Sequence, residues 1–272
     1  MKKVDIDQWV IEILADPITK QKKEFSDFKI LEGIIDARIF LQNTKGFNDW
    51  SKGQKEFEKW ESNSVYYKSL VENYEKEKLK DKSIYKNFTL SGDILDVGGL
   101  SGTLREFIKK DSRYVCIDPY IQCIKEVPEP KMEAYRCLSE KLNFISAMAE
   151  FIPFKEKSFN WVHMRSMLDH VQVPDLALKE ARRVLKDDGS ILVGLYVEGG
   201  KKEKKSKIRF VKDTLKEVLG FLGLEKYKDH HTFHPTLSNL KKIIEDNGFA
   251  ISEYFWQPGW NDQVVYIKAE KN

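Results

Sequence analysis

The sequence predicts an α/β fold, a doubly wound and mostly parallel sheet with helices on both faces and an antiparallel last strand. Three observations carry that expectation. From about residue 88 onward, short apolar segments alternate with helix-like stretches, as βαβ units do. The first apolar segment, Asp93-Ile94-Leu95-Asp96-Val97, runs straight into a glycine-rich turn, GGLSG. Residues 191–197 (ILVGLYV) are apolar throughout, as a strand covered on both sides must be.

The elements follow in order. Residues 1–53 read as a small N-terminal α+β appendage. Ile6, Trp9, Val10, Ile13 and Leu14 share one helical face, Pro17 stops that helix, and FKILEGIIDARIFLQN reads as β-rich with a turn at Glu32-Gly33. Residues 54–87 hold a connecting helix. Phe57, Trp60, Ser64, Tyr67, Val71 and Tyr74 recur at steps of three and four, which makes residues 54–80 one amphipathic rod that packs onto the main domain. Residues 88–272 form that domain. Its first strand is followed by the helix-like TLREFIKK, then by strands at 114–117, 143–146 and 159–164. Residues 175–185 read as a helix that stops at Asp188-Gly189. An insertion at 198–236 combines a lysine-rich loop, the apolar helix IRFVKDTLKEVLGFLGL and the loop DHHTFHP, as a helical lid would. A helix at 237–247 and antiparallel strands at 251–256 and 264–268 close the domain.

Composition narrows the function classes. The 272 residues, 41% hydrophobic, suit one large domain or a core domain with an appendage. Lys and Arg number 46 against 43 Asp and Glu, a net charge of +3, which gives no electrostatic footprint for nucleic acid. The local run at 201–207 (KKEKKSK) reads as a solvated loop. The three cysteines, Cys116, Cys123 and Cys137, lack CxxC spacing, so neither a disulfide framework nor a zinc site is expected. The opening MKKVDIDQWV is no signal peptide, and no apolar run approaches the ~20 residues of a spanning helix. A cytoplasmic protein without membrane insertion is expected.

The chemistry concentrates in DILDVGGLSG, residues 93–102. Glycines between strand and helix permit a tight turn and let a ligand approach the backbone. The next strand, YVCIDPY, carries Asp118 22 residues after Asp96, near the ~20 expected of a carboxylate that grips ribose hydroxyls. Residues 93–196 as a whole resemble a class I S-adenosylmethionine-dependent methyltransferase of the type 11, ubiquinone-biosynthesis kind, with a Rossmann-like fold. DVGGLSG resembles that family's D-x-G-x-G-x-G motif. MAEFIPFKEKSFNWVHMRSMLDHV resembles its D-A-E-x-L-P-F … S-F-D-x-V … L-x-H-V block, and LKEARRVLKDDGSILV resembles its R-V-L-K-P-G-G stretch.

The resemblance implies S-adenosyl-L-methionine as cofactor and assigns residues to it. Asp96, Gly98, Gly99 and Gly102 would border the methionine part, and Asp118 would hold the ribose. Met148, Ala149 and Glu150 stand at the adenine-reading segment, and Arg165 or Ser166 would lie beneath the methyl donor. Two positions depart from the pattern. Leu100 replaces the central glycine of the turn, and Met148 replaces the aspartate that reads the adenine amino group. Both imply weaker or altered binding, and they motivate the alternative of a degenerate, non-catalytic binding protein. ILADPITK faintly resembles a small zinc-ribbon-like module, with Asp16 where a metal-binding cysteine would stand, which implies a metal-free segment.

For catalysis, His231 and His234 of DHHTFHP, with His230 beside them, are candidates for a general base near neutral pH. The competing reading makes this a loop in which one histidine caps the next helix. No acidic partner at ligand spacing argues for a metal there. His170 reads as a cap for the helix that follows it, the role the resemblance implies. Trp256 and Trp260 read as core and loop anchor rather than pocket wall. The acceptor is expected to be a small molecule, first a sugar or sugar-lipid methylated at oxygen. A nicotinamide-dependent oxidoreductase explains neither AEFIPF nor RVLKDDG. RNA modification is disfavoured by the charge balance.

Overall fold

A computed structural model describes residues 5–67, 70–203, 231–260 and 262–272. Most of the 198–236 insertion, including its lysine-rich loop, its apolar helix and His230, lies outside the described residues, as do the side chains of Trp60, Ser64 and Tyr67.

The N-terminal segment joins the main sheet. In α1 (Gln8–Glu12), Val10 is buried, as is Leu14 just beyond, and the helix ends before Pro17. β1 (Lys29–Leu31) and β2 (Ile34–Asp36) form a hairpin whose two turn residues, Glu32 and Gly33, have φ of 55° and 84°. Positive φ at both positions matches the strand twist, so the turn falls where the sequence puts it. β2 then lies parallel to β5 (Phe144–Ser146), extending the sheet edge.

The sheet has nine strands in the order β1-β2-β5-β4-β3-β6-β7-β9-β8. Its centre is parallel: β5, β4 (Arg113–Ile117), β3 (Asp93–Val97), β6 (Phe159–Arg165) and β7 (Leu185–Tyr196). β9 (Val264–Lys271) pairs antiparallel with β7, and β8 (Phe249–Trp256) pairs antiparallel with β9. The apolar strand ILVGLYV is thus the inner half of β7, covered on both faces. The order reverses between β3 and β6, so the carboxyl ends of β3, β4 and β6 diverge into a crevice, where ligands of open α/β sheets bind.

Three expectations about local structure change. The single rod predicted over 54–80 is two helices, α2 (Lys45–Tyr67) and α3 (Val71–Asn87), with Leu70 extended between them (φ −107°, ψ 131°). The break lets α3 present a different face, with Tyr74, Asp81, Ile84 and Tyr85 buried. TLREFIKK gives only a 3₁₀ turn at Thr103–Glu106. There Arg105 donates back to the carbonyls of Gly102 and Lys141 and pins the chain. The helix α5 (Pro174–Val184) does not run on to Asp188-Gly189. Leu185 is already extended, and Gly189 lies inside β7, where a Cβ would meet the Phe159 and Lys186 carbonyl oxygens at 3.1 and 3.0 Å.

Two further helices complete the described chain, α4 (Glu129–Ala134) and α6 (Leu237–Asp246). The cap of α6 is Thr236, whose side chain accepts from Asn239 N, so no histidine of DHHTFHP caps it. Among the described residues no helix is long and apolar enough to cross a membrane.

Candidate functional site

The crevice at the strand reversal is a cavity of about 340 Å³, within the range of small-molecule sites. One wall is the turn after β3. Gly98 folds over the end of β4, donating to Ile117 O at 2.8 Å, and has φ of 72° with Met167 packed so close that a Cβ would sit 2.8 Å from it. Gly98, Gly99 and Leu100 line the cavity, whereas Gly102 sits behind the turn against Leu142 and Tyr114. Leu100 has a left-handed backbone (φ 49°), a conformation that glycine adopts without steric cost. That conformation costs a side-chain-bearing residue about 1–2 kcal/mol. Leu100→Gly is therefore expected to melt up to ~4 °C higher and to bind the site's ligand as well or better. A lower melting temperature or lost binding in scanning calorimetry and titration would show that the side chain supports the turn.

Asp118, just past β4, is buried on the cavity wall. It accepts from Tyr120 N at 2.8 Å and Leu100 N at 3.2 Å. Burial nevertheless pushes its carboxyl up to about 7, with Asp96 and Glu58 adding negative charge nearby. Past β5, Met148 and Ala149 are buried and line the same cavity. Glu150 is also on this wall, but its Oε1 accepts from Gln172 N and Val173 N, tying the wall to the segment beyond His170.

Behind the turn lies a buried chain of groups that ties the expected residues Asp96 and Arg165 to four that the sequence reading did not single out, Tyr114, His163, Tyr85 and Asp81. Asp96 accepts from Tyr114 Oη at 2.6 Å and pairs with His163 Nδ1 at 2.7 Å. The ionised carboxylate can only accept, so Nδ1 carries the proton and His163 Nε2 receives the Tyr85 hydroxyl at 3.1 Å. Burial holds the Tyr85 proton far above the usual phenol range, which keeps it a donor. Arg165, at the end of β6, makes two bonds of 2.7 and 2.6 Å to the buried Asp81 of α3. This fork fixes the guanidinium on the cavity wall and locks α3 to the sheet. Ser166 follows with φ of 47°, the second strained non-glycine residue facing the cavity. The lid of the cavity is α2, through Trp50, Gly53, Gln54 and Phe57, with the Phe57 ring edge-on to Tyr120.

His170 lines the cavity's rim and does not cap α5, whose N-cap is Val173. The His231 ring lies tilted against His170 with centroids 4.5 Å apart, and His234 meets His231 edge-on at 5.5 Å. Of the two histidines expected as bases, His231 therefore sits one ring outward from the cavity wall and His234 two. Trp256 and Trp260 are not on that wall: Trp256 packs against the main core and Trp260 is exposed.

Known proteins share the stretch that builds this site. A family model described as a methyltransferase domain matches residues 95–193, from β3 into β7. An uncharacterized protein of Methanocaldococcus jannaschii is 27% identical over 218 residues, covering 75% of this chain and 94% of that protein. A ubiquinone/menaquinone biosynthesis C-methyltransferase of Hahella chejuensis is 24% identical, covering 63% of this chain and 75% of the relative. A malonyl-(acyl-carrier protein) O-methyltransferase of Geobacter sulfurreducens is 27% identical, covering 58% and 68%. The crystal structure of an S-adenosylmethionine-dependent methyltransferase of Thermotoga maritima, a possible histamine N-methyltransferase, superposes with a TM-score of 0.51 at 19% identity. It covers 84% of this chain and 100% of that one, a likeness of fold alone.

Proposed function

Given that this chain carries a class I S-adenosylmethionine-dependent methyltransferase domain, we propose that it methylates a small-molecule acceptor at oxygen, with cofactor and acceptor meeting in the cavity under α2. The observation that carries this reading is that one cavity joins the ribose-type carboxyl Asp118 to the rim residue His170. The residues fit the cofactor on two counts. Asp118 is a buried carboxyl on the cavity wall with only two backbone donors, as a partner for ribose hydroxyls should be. The Gly98–Gly99 backbone forms a cradle that a Cβ would crowd.

S-adenosylmethionine supplies a methyl group already activated on its sulfonium. Asp118 would hold the ribose, Met148 and Ala149 would pack the adenine, and Gly98 and Gly99 would border the methionine part. Asp96 acts there through His163, which it orients. Arg165 and Ser166 would flank the methyl group, while Trp50 and Phe57 on α2 exclude water. What remains is in-line placement of the acceptor and removal of its proton. We assign that proton to the histidines at the rim, His231 and His234.

The aromatic wall of Trp50, Phe57 and Tyr135 suits the flat face of a ring, and a sugar or sugar-lipid hydroxyl is the first acceptor class proposed. The quinone and malonyl names of two relatives put phenolic rings and carboxylates in the same panel. The test is calorimetric titration with S-adenosylmethionine and S-adenosylhomocysteine, then transfer of labelled methyl to sugar nucleotides, glycolipids, quinols and carboxylic acids. Binding of both ligands with label on a sugar hydroxyl is the expected result. Binding of neither would sink the cofactor assignment, and label found only on carbon or carboxyl would overturn the acceptor.

A further inference from the structure

We propose that Asp169, His170 and His231 form a binding site for one divalent transition-metal cation of the zinc or cobalt type, at the rim of the methyl-transfer cavity. Among the described residues, these three form a group whose ligand atoms all lie within 4.8 Å of one another. The distances between them are informative. His170 Nε2 is 3.9 Å from Asp169 Oδ1, and His231 Nε2 is 3.8 Å from Asp169 Oδ2. Both are too long for hydrogen bonds. Both fit inside the ~4.2 Å that separates two ligands placed on opposite sides of an ion at about 2.1 Å each.

Asp169 gives a second, independent indication. The residue is 8% exposed, and its Oδ1 is buried without a hydrogen-bond partner. A desolvated carboxylate oxygen left unpaired is costly, and a cation between it and the imidazoles removes that cost. The scaffold is also in place. Thr232 N donates to Asp169 O at 2.8 Å, and Thr232 Oγ1 donates to Val171 O at 2.6 Å. These bonds pin the segment carrying His231 onto the turn carrying Asp169 and His170, although the two are far apart in sequence. Preorganisation of this kind is what a first coordination shell needs.

Two imidazoles and one carboxylate select a borderline ion such as Zn²⁺ or Co²⁺ and not Mg²⁺ or Ca²⁺, which take oxygen ligands. Three protein ligands leave a coordination position open, as catalytic rather than structural sites do. Since His170 also lines the cavity, that open position is within reach of an acceptor hydroxyl. With His231 as a ligand, His234, edge-on to it, is left to take the proton.

The test needs no acceptor, so its outcome is independent of the methyl-transfer reading. Untagged full-length protein, stripped with chelator, is titrated with Zn²⁺ by calorimetry and with Co²⁺ by visible absorption. One equivalent of each is expected per chain, unaffected by excess Mg²⁺ and without a thiolate charge-transfer band. Asp169→Asn, His170→Ala and His231→Ala should each weaken binding by more than the ~10- to 100-fold that loss of an outer-shell partner costs. Circular dichroism and thermal melting of the same variants report that they are folded. Sub-stoichiometric binding to the intact chain, a cysteine charge-transfer band, or full affinity in folded His170→Ala and His231→Ala would overturn the site.

Discussion

Asp118→Asn is expected to weaken S-adenosylmethionine binding while making the cofactor-free protein more stable above neutral pH. The two effects share one cause. Burial pushes the Asp118 carboxyl up from the usual carboxylate range near 3.8 to about 7. Below about pH 4 the group is protonated in both the folded and the unfolded chain, and it contributes no difference. Between about 4 and 7 the unfolded chain releases the proton and the folded chain keeps it, so stability falls as pH rises. Above 7 the folded state carries the whole penalty, about 4 kcal/mol for three pH units at 1.36 kcal/mol each. Asparagine removes that penalty but leaves a buried amide donor to place, a cost of about 1–3 kcal/mol. The net gain at pH 8 should be on the order of 1–3 kcal/mol, and the variant's melting temperature should lose its decline between pH 5 and 8. Cofactor binding responds in the opposite sense, because the ionised carboxylate is the stronger acceptor for ribose hydroxyls. Affinity should fall by about 1.5–3 kcal/mol, roughly 10- to 150-fold. The wild-type increase of affinity as pH rises through 7 should disappear. Equal affinity in the folded variant, or wild-type affinity that ignores pH, would remove Asp118 from the ribose position.

How much of the fold could be read from the residues depended on whether the signal was local. The hairpin at Glu32-Gly33 is fixed by two positions that need positive φ, and the parallel strands by continuous apolar runs between turns. The break at Leu70 left no such mark. Its neighbours Ser69 and Val71 include no glycine or proline to mark a stop, and burial of Tyr74, Asp81 and Tyr85 goes with the second helix axis. The end of α5 was misplaced for a related reason. Gly189 looks like a helix stop, but it is required by close packing inside β7.

The site divides in the same way. Asp118 and the glycine turn are legible because strand ends and spacing place them, and Met148–Ala149 through the family resemblance; all but Gly102 reach the cavity wall. His163 is hidden inside the strand FNWVHMR, where period-2 alternation makes an inward polar residue look like any other. The clue was its flanking apolar run, which leaves a histidine no water and so demands partners; Asp96 and Tyr85 are those partners. Asp81 had a weaker clue, an acid on the helix face shared with Ile84 and Tyr85. Asp169 and His231 could not be joined from the chain at all, since backbone bonds from Thr232 bring them together. The lack of an acidic partner at ligand spacing around DHHTFHP was therefore no guide to its surroundings in space.

The histidines at the rim carry the largest expected effect on turnover. His234→Ala should lower the rate at saturating cofactor by about 10²- to 10⁴-fold, the usual contribution of a positioned base. His231→Ala should cost as much, through loss of the cation it helps to hold and of the ring on which His234 packs. Metal content separates the two variants: His234→Ala keeps its equivalent of Zn²⁺ or Co²⁺, and His231→Ala does not. A purely structural role predicts a different pattern, with lower melting temperatures and an unchanged rate per folded molecule. Rate, melting temperature and S-adenosylhomocysteine affinity measured together distinguish these outcomes. Normal melting with full turnover in both variants would show that neither ring accepts the proton, and the acceptor's proton would then leave by another route.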